Sequence, residues 1–282
     1  MSLIGEKSVI KDCYGVTAEC VRFISVETIE HLRSVLCEFR GREIKIVGSV
    51  TNTILAHCKL NRIIIKLDGA FSNIQLIDNQ RVRVGSSVKI PSLLNFCLKS
   101  GLGGLEFMVG IPGTVGGAIY CNAGAFGNEI GDYIQEITCM DREGGIKKIK
   151  KRDINFSYRN SGLRGYIILD AVLKVFPLPE VEIKNKMQRF FSRRLQSQDY
   201  YNSSCGCFFK NPPGACAGGI IEEVNLKGKK RAGAWVSEKH GNFIVSDGNV
   251  HPQDILAIKD VIQRKVWREK RIWFNPEVEI LW

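Results

Sequence analysis

Apolar residues in "VETIEHLRSVLCEF" (26–39) recur at three- and four-residue spacing, which predicts an amphipathic helix. "EIKIVGS" (43–49) and "RIIIKL" (62–67) are short β-rich runs bounded by turn formers. "NIQLID" (73–78) followed by "RVRVGSSVKI" (81–90) gives a strand–turn–strand signal, and "PSLLNFCLKS" (91–100) a short helix opened by proline. Three further strands are expected in "IQEITCM" (134–140), "IKKIK" (146–150) and "YIILDAVLKVF" (166–176). "PEVEIKNKMQRFFSRRLQSQ" (179–198) reads as a polar helical connector. Beyond it the rhythm changes: a helix in "CAGGIIEEVN" (216–225), strands in "GAWVSEKHGNFIVSDG" (233–248), and a long helix in "PQDILAIKDVIQRKVWREK" (252–270). That last helix sets Ile255, Leu256, Ile258, Val261, Ile262 and Val266 on one stripe. The pattern is α+β, with a boundary expected near residue 180 and a smaller α/β unit after it.

One stretch fits neither period. "GIPGTVGGAIYCNAGAFG" (110–127) carries glycine at 110, 113, 116, 117, 124 and 127, and no charge occurs from Phe107 to Asn128. A membrane helix is excluded by propensity, since each glycine costs about 1 kcal/mol in a helix. Glycines at this spacing let a ligand lie against main-chain N–H groups; a tightly packed turn is the equal alternative on spacing alone. Neither G-x-x-x-x-G-K-[ST] nor a G-x-G-x-x-G between strand and helix is present.

Composition narrows the partners. The 282 residues carry 40 Lys and Arg against 29 Asp and Glu, a net charge of +11, which favours anionic ligands. The basic residues are scattered, and no aromatic-and-basic recognition motif occurs, so phosphorylated small molecules rank above nucleic acid. "MSLIGEKSVIKD" (1–12) holds charges where a secretory signal needs an apolar core. The ten cysteines are irregularly spaced and are expected to be reduced thiols. Cys205 and Cys207 form a close pair, but His31, His57, His240 and His251 supply no zinc spacing beside it, and no metal is expected.

Four ordered stretches carry a family likeness: "GGLEFMVGIPGTVGGAIYCNAGAFGNEI" (103–130), "FSYRNSGL" (156–163), "GCFFKNPPGACAGGIIEEVNLKGKKRAGAWVSEKHGNFIVSDG" (206–248) and "FNPEVEI" (274–280). Together they closely resemble the UDP-N-acetylenolpyruvoylglucosamine reductases. The resemblance implies an α+β chain with a two-subdomain FAD-binding region of the vanillyl-alcohol-oxidase type at 1–180, divided at about 68 and 69. A smaller α/β substrate-binding domain would follow at 181–282, in the shorter branch of the family without an extra lid. It implies FAD as cofactor, NADPH as hydride-donating co-substrate, a UDP-sugar as substrate, a monomeric cytoplasmic enzyme, and neither nucleic acid nor membrane as partner. The reaction reduces an enolpyruvyl ether to a lactyl ether during peptidoglycan precursor synthesis.

Residue by residue, the likeness assigns FAD binding to Gly110, Ile111, Pro112, Gly113, Thr114, Gly116 and Gly117 along the pyrophosphate, and to Asn122, Ala123 and Gly124 near the flavin. Gly48, Thr51 and Asn52 of "VGSVTNTIL" (47–55) fill the family's "GxGSN" loop, with Val50 where a glycine is expected. Arg159 matches the catalytic arginine, suited to clamp a carboxylate bidentately. Glu277 matches the C-terminal glutamate, which the residues alone would not separate from Glu279. Cys207 stands where the family usually has serine as proton donor; a thiol is the stronger acid, and a small buried hydrophobe is the alternative. Tyr158, Lys210, Asn211 and His240 are implied in substrate binding, while for Lys227 to Lys230 attraction of a diphosphate and a solvated loop are equal alternatives. A related FAD oxidoreductase acting on another substrate, and a flavin-binding relic without turnover, stand as alternatives.

Overall fold

The computed structural model describes residues 8–282. Residues 1–7, on which the reading of a charged chain start partly rests, lie outside the described residues. The chain divides into two compact units. One comprises Phe23–Ser49 and Arg62–Arg193; the other comprises, among the described residues, 8–22, Val50–Asn61 and Arg194–Trp282.

The first unit is organised by a five-stranded sheet, every neighbouring pair antiparallel, in the order 146–150, 134–140, 167–174, 81–85, 74–78. Val82, Val84, Ile137, Ala171 and Leu173 are buried on it. Against them pack helix α2, Ile90–Lys99, through Leu93, and a six-residue helix α3, Val115–Tyr120, through Val115 and Ile119. Helix α1, Ile29–Glu38, begins where the Thr28 hydroxyl accepts the His31 N–H at 3.1 Å. It lays Leu32, Val35 and Leu36 on Ile63 and Ile65 of the strand over 59–67, whose parallel neighbour is 44–47. The strand over 59–67 and the one over 17–26 each run from one unit into the other. So does α4, Glu180–Ser197; the expected boundary near residue 180 falls at its start, whereas the contacts divide at Arg193 and Arg194.

The second unit holds α5, Ala217–Glu223, and α6, Pro252–Lys270, with a three-stranded sheet 230–231, 234–236, 244–246 and a parallel pair 53–55 with 279–281. Its N-terminal part is a hairpin, 8–11 against 17–20, that the hydrophobic pattern does not announce. The turn between the strands is fixed by a buried carboxylate. Asp12 Oδ1 accepts the Tyr14 and Val16 N–H groups, and Oδ2 accepts the Leu55 N–H. Burial pushes the Asp12 carboxyl above its ordinary value, and the three backbone donors oppose that shift. Tyr14, 1% exposed, donates its hydroxyl to the Ile244 carbonyl at 2.8 Å, joining the turn to the strand at 244–246.

The cysteines depart from expectation at one place: Cys13 and Cys205 are bridged, across 192 residues of sequence. The pairing needs the hairpin turn beside residue 205, a tertiary proximity that spacing along the chain does not encode. The other eight cysteines form no disulfide, and burial raises the Cys97 thiol to about 12.

Tyr14→Phe leaves the Ile244 carbonyl buried without its donor, at a cost of about 1–2 kcal/mol. Thermal unfolding should fall by roughly 2–6 °C. An unchanged midpoint would show that the hydroxyl holds nothing.

Candidate active site

In the first unit the glycine-rich stretch forms a bed around α3. Gly113, at φ +114°, turns the chain so that Ile90 donates to its carbonyl at 3.0 Å and Val115 donates to Val88 at 2.8 Å. Thr114 caps α3, its hydroxyl accepting the Gly117 N–H. The N–H groups of Ile111, Val115, Gly116, Gly117 and Ala118 are all spent within the protein. The adjacent N–H groups of Gly113 and Thr114 make no such bond among the described residues. A phosphate laid on the bed would therefore be met there rather than along the whole run.

Packing accounts for some of these glycines and not others. A Cβ at Gly116 would lie 2.7 Å from the Ser86 Cβ, and one at Gly48 would run into the Thr114 hydroxyl. Gly117 is exposed, and a Cβ there meets nothing nearer than 3.5 Å. The protein gives Gly117 no internal reason to lack a side chain; an approaching ligand does. An exposed glycine beside two uncommitted N–H groups fits a dinucleotide diphosphate.

Beyond α3 the chain is held by Asn122, which is 0% exposed with φ +47°. Its Oδ1 accepts the Gly131 N–H at 3.0 Å, and its Nδ2 donates to Glu129 Oε2 at 2.6 Å and to the Ser157 carbonyl at 3.0 Å. Ser157 opens a two-residue turn closed by reciprocal backbone bonds with Asn160. Tyr158 and Arg159 occupy its corner, Arg159 at φ +54°. Nη2 of Arg159 donates to the Gly124 carbonyl at 3.1 Å, and its guanidinium lies over the Tyr158 ring, 5.1 Å from the centroid. The Ser161 hydroxyl donates to the Tyr120 carbonyl at 2.9 Å. Three bonds thus lace 120–124 to 157–161 around the arginine.

In the second unit, residues 207–210 lie between two other segments. On one side Cys207 bridges Phe243, and Phe208 donates to the Asn242 carbonyl. On the other side Glu277 donates to the Phe208 carbonyl at 2.8 Å, Phe209 bridges Pro276, and Lys210 donates to Asn275. Cys207, Lys210, His240 and Glu277 are thereby gathered on neighbouring backbone, with Cys207 and Glu277 both half-buried. Phe208, Phe209 and Phe274 pack beneath, with centroid separations of 5.1 and 5.3 Å. Asn242, 2% exposed, pins the ladder by accepting the Phe209 N–H on Oδ1 and donating Nδ2 to the Phe209 carbonyl. Sequence reading passed over this asparagine, and only its place between "KHG" and "FIVS" sets it apart. Asn211 Oδ1 accepts the Ala217 N–H and so caps α5.

His240 accepts the Asn242 N–H on Nδ1 at 3.2 Å, so its proton sits on Nε2. Burial, then the nearby Lys227 charge, holds its pKa below the ordinary 6.5. Lys227 itself is ion-paired with Glu222 at 2.8 Å. Asn52, expected beside the cofactor, donates Nδ2 to the Glu277 carbonyl at 3.4 Å and accepts the Glu279 N–H on its own carbonyl. Thr51 precedes it, half-buried. Val50 adopts φ +56°, a left-handed conformation that a β-branched residue takes only under strain. No group of three or more His, Cys, Asp or Glu able to hold a metal occurs among the described residues.

A glycine bed with two uncommitted N–H groups, on an antiparallel sheet with a laced arginine beside it, fits the class of dinucleotide-binding oxidoreductases. Residues 21–150 match the model of the FAD binding domain, and residues 197–281 that of the UDP-N-acetylenolpyruvoylglucosamine reductase C-terminal domain. The chain is 34% identical over 255 residues to UDP-N-acetylenolpyruvoylglucosamine reductase 2 of Symbiobacterium thermophilum, covering 89% of this chain and 82% of that one. It is 34% identical over 239 residues to the reductase of Bacillus pumilus, covering 84% and 78%. The crystal structure of the Thermus caldophilus reductase superposes with a TM-score of 0.84 at 30% identity, covering 98% of each chain. This chain belongs to the UDP-N-acetylenolpyruvoylglucosamine reductase family, and its cofactor is FAD.

Val50→Gly removes about 1–2 kcal/mol of left-handed strain and adds about 0.5–1 kcal/mol of chain entropy. The net gain should raise the melting temperature by a degree or two; a fall would show that the valine side chain is needed where it is. For His240 the depressed pKa means that the unfolded chain binds the proton more readily. Its contribution is present above pH 6.5 and is lost as pH falls through the folded-state pKa. Urea midpoints at pH 7.5 and 5.5 should therefore differ more in the wild type than in His240→Gln; equal differences would remove His240 from the acid response.

Proposed function

We propose that this chain reduces the enolpyruvyl ether of UDP-N-acetylglucosamine to the lactyl ether, giving UDP-N-acetylmuramate at the expense of NADPH. FAD, when bound, supplies the hydride chemistry. The residues that would hold it are Gly113, Thr114 and Gly117 of the bed, with Gly48, Gly110 and the backbone of 122–124 completing its lining. Everything else is the work of side chains.

The observation that carries this reading is the arginine turn laced to the bed. Hydride addition to the enol carbon leaves negative charge beside the substrate carboxylate. Arg159 grips that carboxylate through two parallel N–H···O bonds and stabilises the charge as it develops. The carbon must then receive a proton. Cys207 gives it from its thiol, and Glu277, one residue pairing away on the ladder, assists at the same intermediate. Lys210, Asn211 and Tyr158 hold the UDP-sugar, and His240, neutral, offers its Nε2–H as a donor. The working division follows the same reading, with cofactor binding in 1–180 and substrate binding in 181–282. On the same reading the enzyme acts as a monomer in the cytoplasm.

The test is an anaerobic visible spectrum. The flavin band should bleach on NADPH and return on UDP-N-acetylglucosamine enolpyruvate. A band that bleaches and stays bleached would refute the substrate. Arg159→Ala should keep flavin and its reduction by NADPH while slowing reoxidation by about 100-fold or more, the scale of losing one charged stabiliser of an oxyanion. Cys207→Ala should slow reoxidation alone; equal slowing of both half-reactions would make Cys207 structural.

A further inference from the structure

Asn122 is an expected cofactor-lining residue, yet its side chain has nothing left to offer a cofactor. It is fully buried, and its oxygen and both amide hydrogens are engaged by Gly131, Glu129 and Ser157. One of those partners is informative. The Ser157 carbonyl already closes the turn by accepting the Asn160 N–H at 3.0 Å, and Asn122 supplies its second donor. Arg159 sits in that turn at φ +54°, a strained conformation for a non-glycine residue that persists only when its surroundings dictate it. We infer that Asn122 is a positioning residue for Arg159: it fixes the arginine turn to the flavin bed and so sets where the guanidinium meets the substrate carboxylate.

Two further features support this assignment. Asn122 lies two residues from Gly124, whose carbonyl receives the Arg159 Nη2, so the same short segment holds the turn's backbone and the guanidinium. Glu129 orients the amide. Its Oε2 accepts one Nδ2 hydrogen at 2.6 Å, leaving the other directed at Ser157. Asparagine suits the position on two counts, since it tolerates left-handed backbone better than other side-chain-bearing residues and carries two donors and an acceptor on a short stem. Aspartate keeps the shape and the acceptor but has no hydrogen to give, and it would face the Glu129 carboxylate.

The inference rests on the role proposed for Arg159, and the experiment separates the two. Holoenzymes of wild type, Asn122→Asp, Arg159→Ala and the double variant are followed through both half-reactions. Binding of UDP-N-acetylmuramate and of UDP alone is measured by calorimetry. Asn122→Asp should slow reoxidation by substrate 10- to 100-fold and leave flavin reduction by NADPH within about threefold. It should weaken UDP-N-acetylmuramate, which carries the carboxylate, at least fivefold while leaving UDP unchanged. In the Arg159→Ala background it should change reoxidation less than twofold. Equal slowing of both half-reactions, parallel loss of UDP binding, or additivity in the double variant overturns the assignment. If Arg159→Ala itself reoxidises at the wild-type rate, the arginine's role fails and this inference with it. Should Asn122→Asp not fold, Asn122→Gly keeps the left-handed backbone without the side chain, and the same comparisons decide.

Discussion

The buried amide of Asn122 is the interaction on which the chemistry proposed for the first unit depends. Val115 and Ile119 anchor the bed in the core, but its glycines carry no side chain to set the backbone path between such anchors, so that path comes from hydrogen bonds. Val115 and Gly116 are tied to Val88 and Ser86 on one side. Tyr120, Asn122 and Gly124 are tied to the arginine turn on the other. Removing polar groups from water is unfavourable unless each finds a partner, so a fully buried asparagine with every bond made specifies one geometry and penalises its neighbours in sequence space. The arginine inherits that geometry.

The second unit solves the same problem with a ladder. Residues 207–210 have backbone partners on both sides, at 242–243 and at 275–277, and three phenylalanines beneath exclude water from the backbone bonds. Asn242 brackets Phe209 at both its N–H and its carbonyl, whereas Asn122 holds Ser157 by the carbonyl alone and joins it to Glu129 and Gly131. In both units a short polar side chain of near-zero exposure sets the register of the segment that carries the proposed chemistry, which leaves Cys207 and Arg159 half-buried and able to meet a substrate.

Two departures from the family pattern have physical readings, and so does one cysteine pairing that the sequence did not announce. Val50 takes a left-handed conformation that a glycine would take at no cost, so strain is stored in the loop. Cys207 keeps the place of a hydroxyl donor with a more acidic and more polarisable group. Cys13 reaches Cys205, two residues from Cys207, because the Asp12 turn brings the N-terminal hairpin to that segment.

The periodic elements were legible without coordinates. The stripe of Ile255, Leu256, Ile258 and Ile262 describes α6 over Pro252–Lys270, and the runs at 134–140 and 146–150 are strands with those bounds, because local period and capping suffice to define such elements. The likeness in four ordered motifs was enough to place the chain in its family. Tertiary structure alone decided that residues 8–22 and 50–61 pack with the C-terminal segments, that the glycine stretch contains a helix, and that Asn122 spends its amide on Ser157 rather than on a ligand. Those outcomes depend on groups far apart in sequence satisfying one another's hydrogen bonds away from water, and a chain read one residue at a time carries the donors and acceptors but not their pairing.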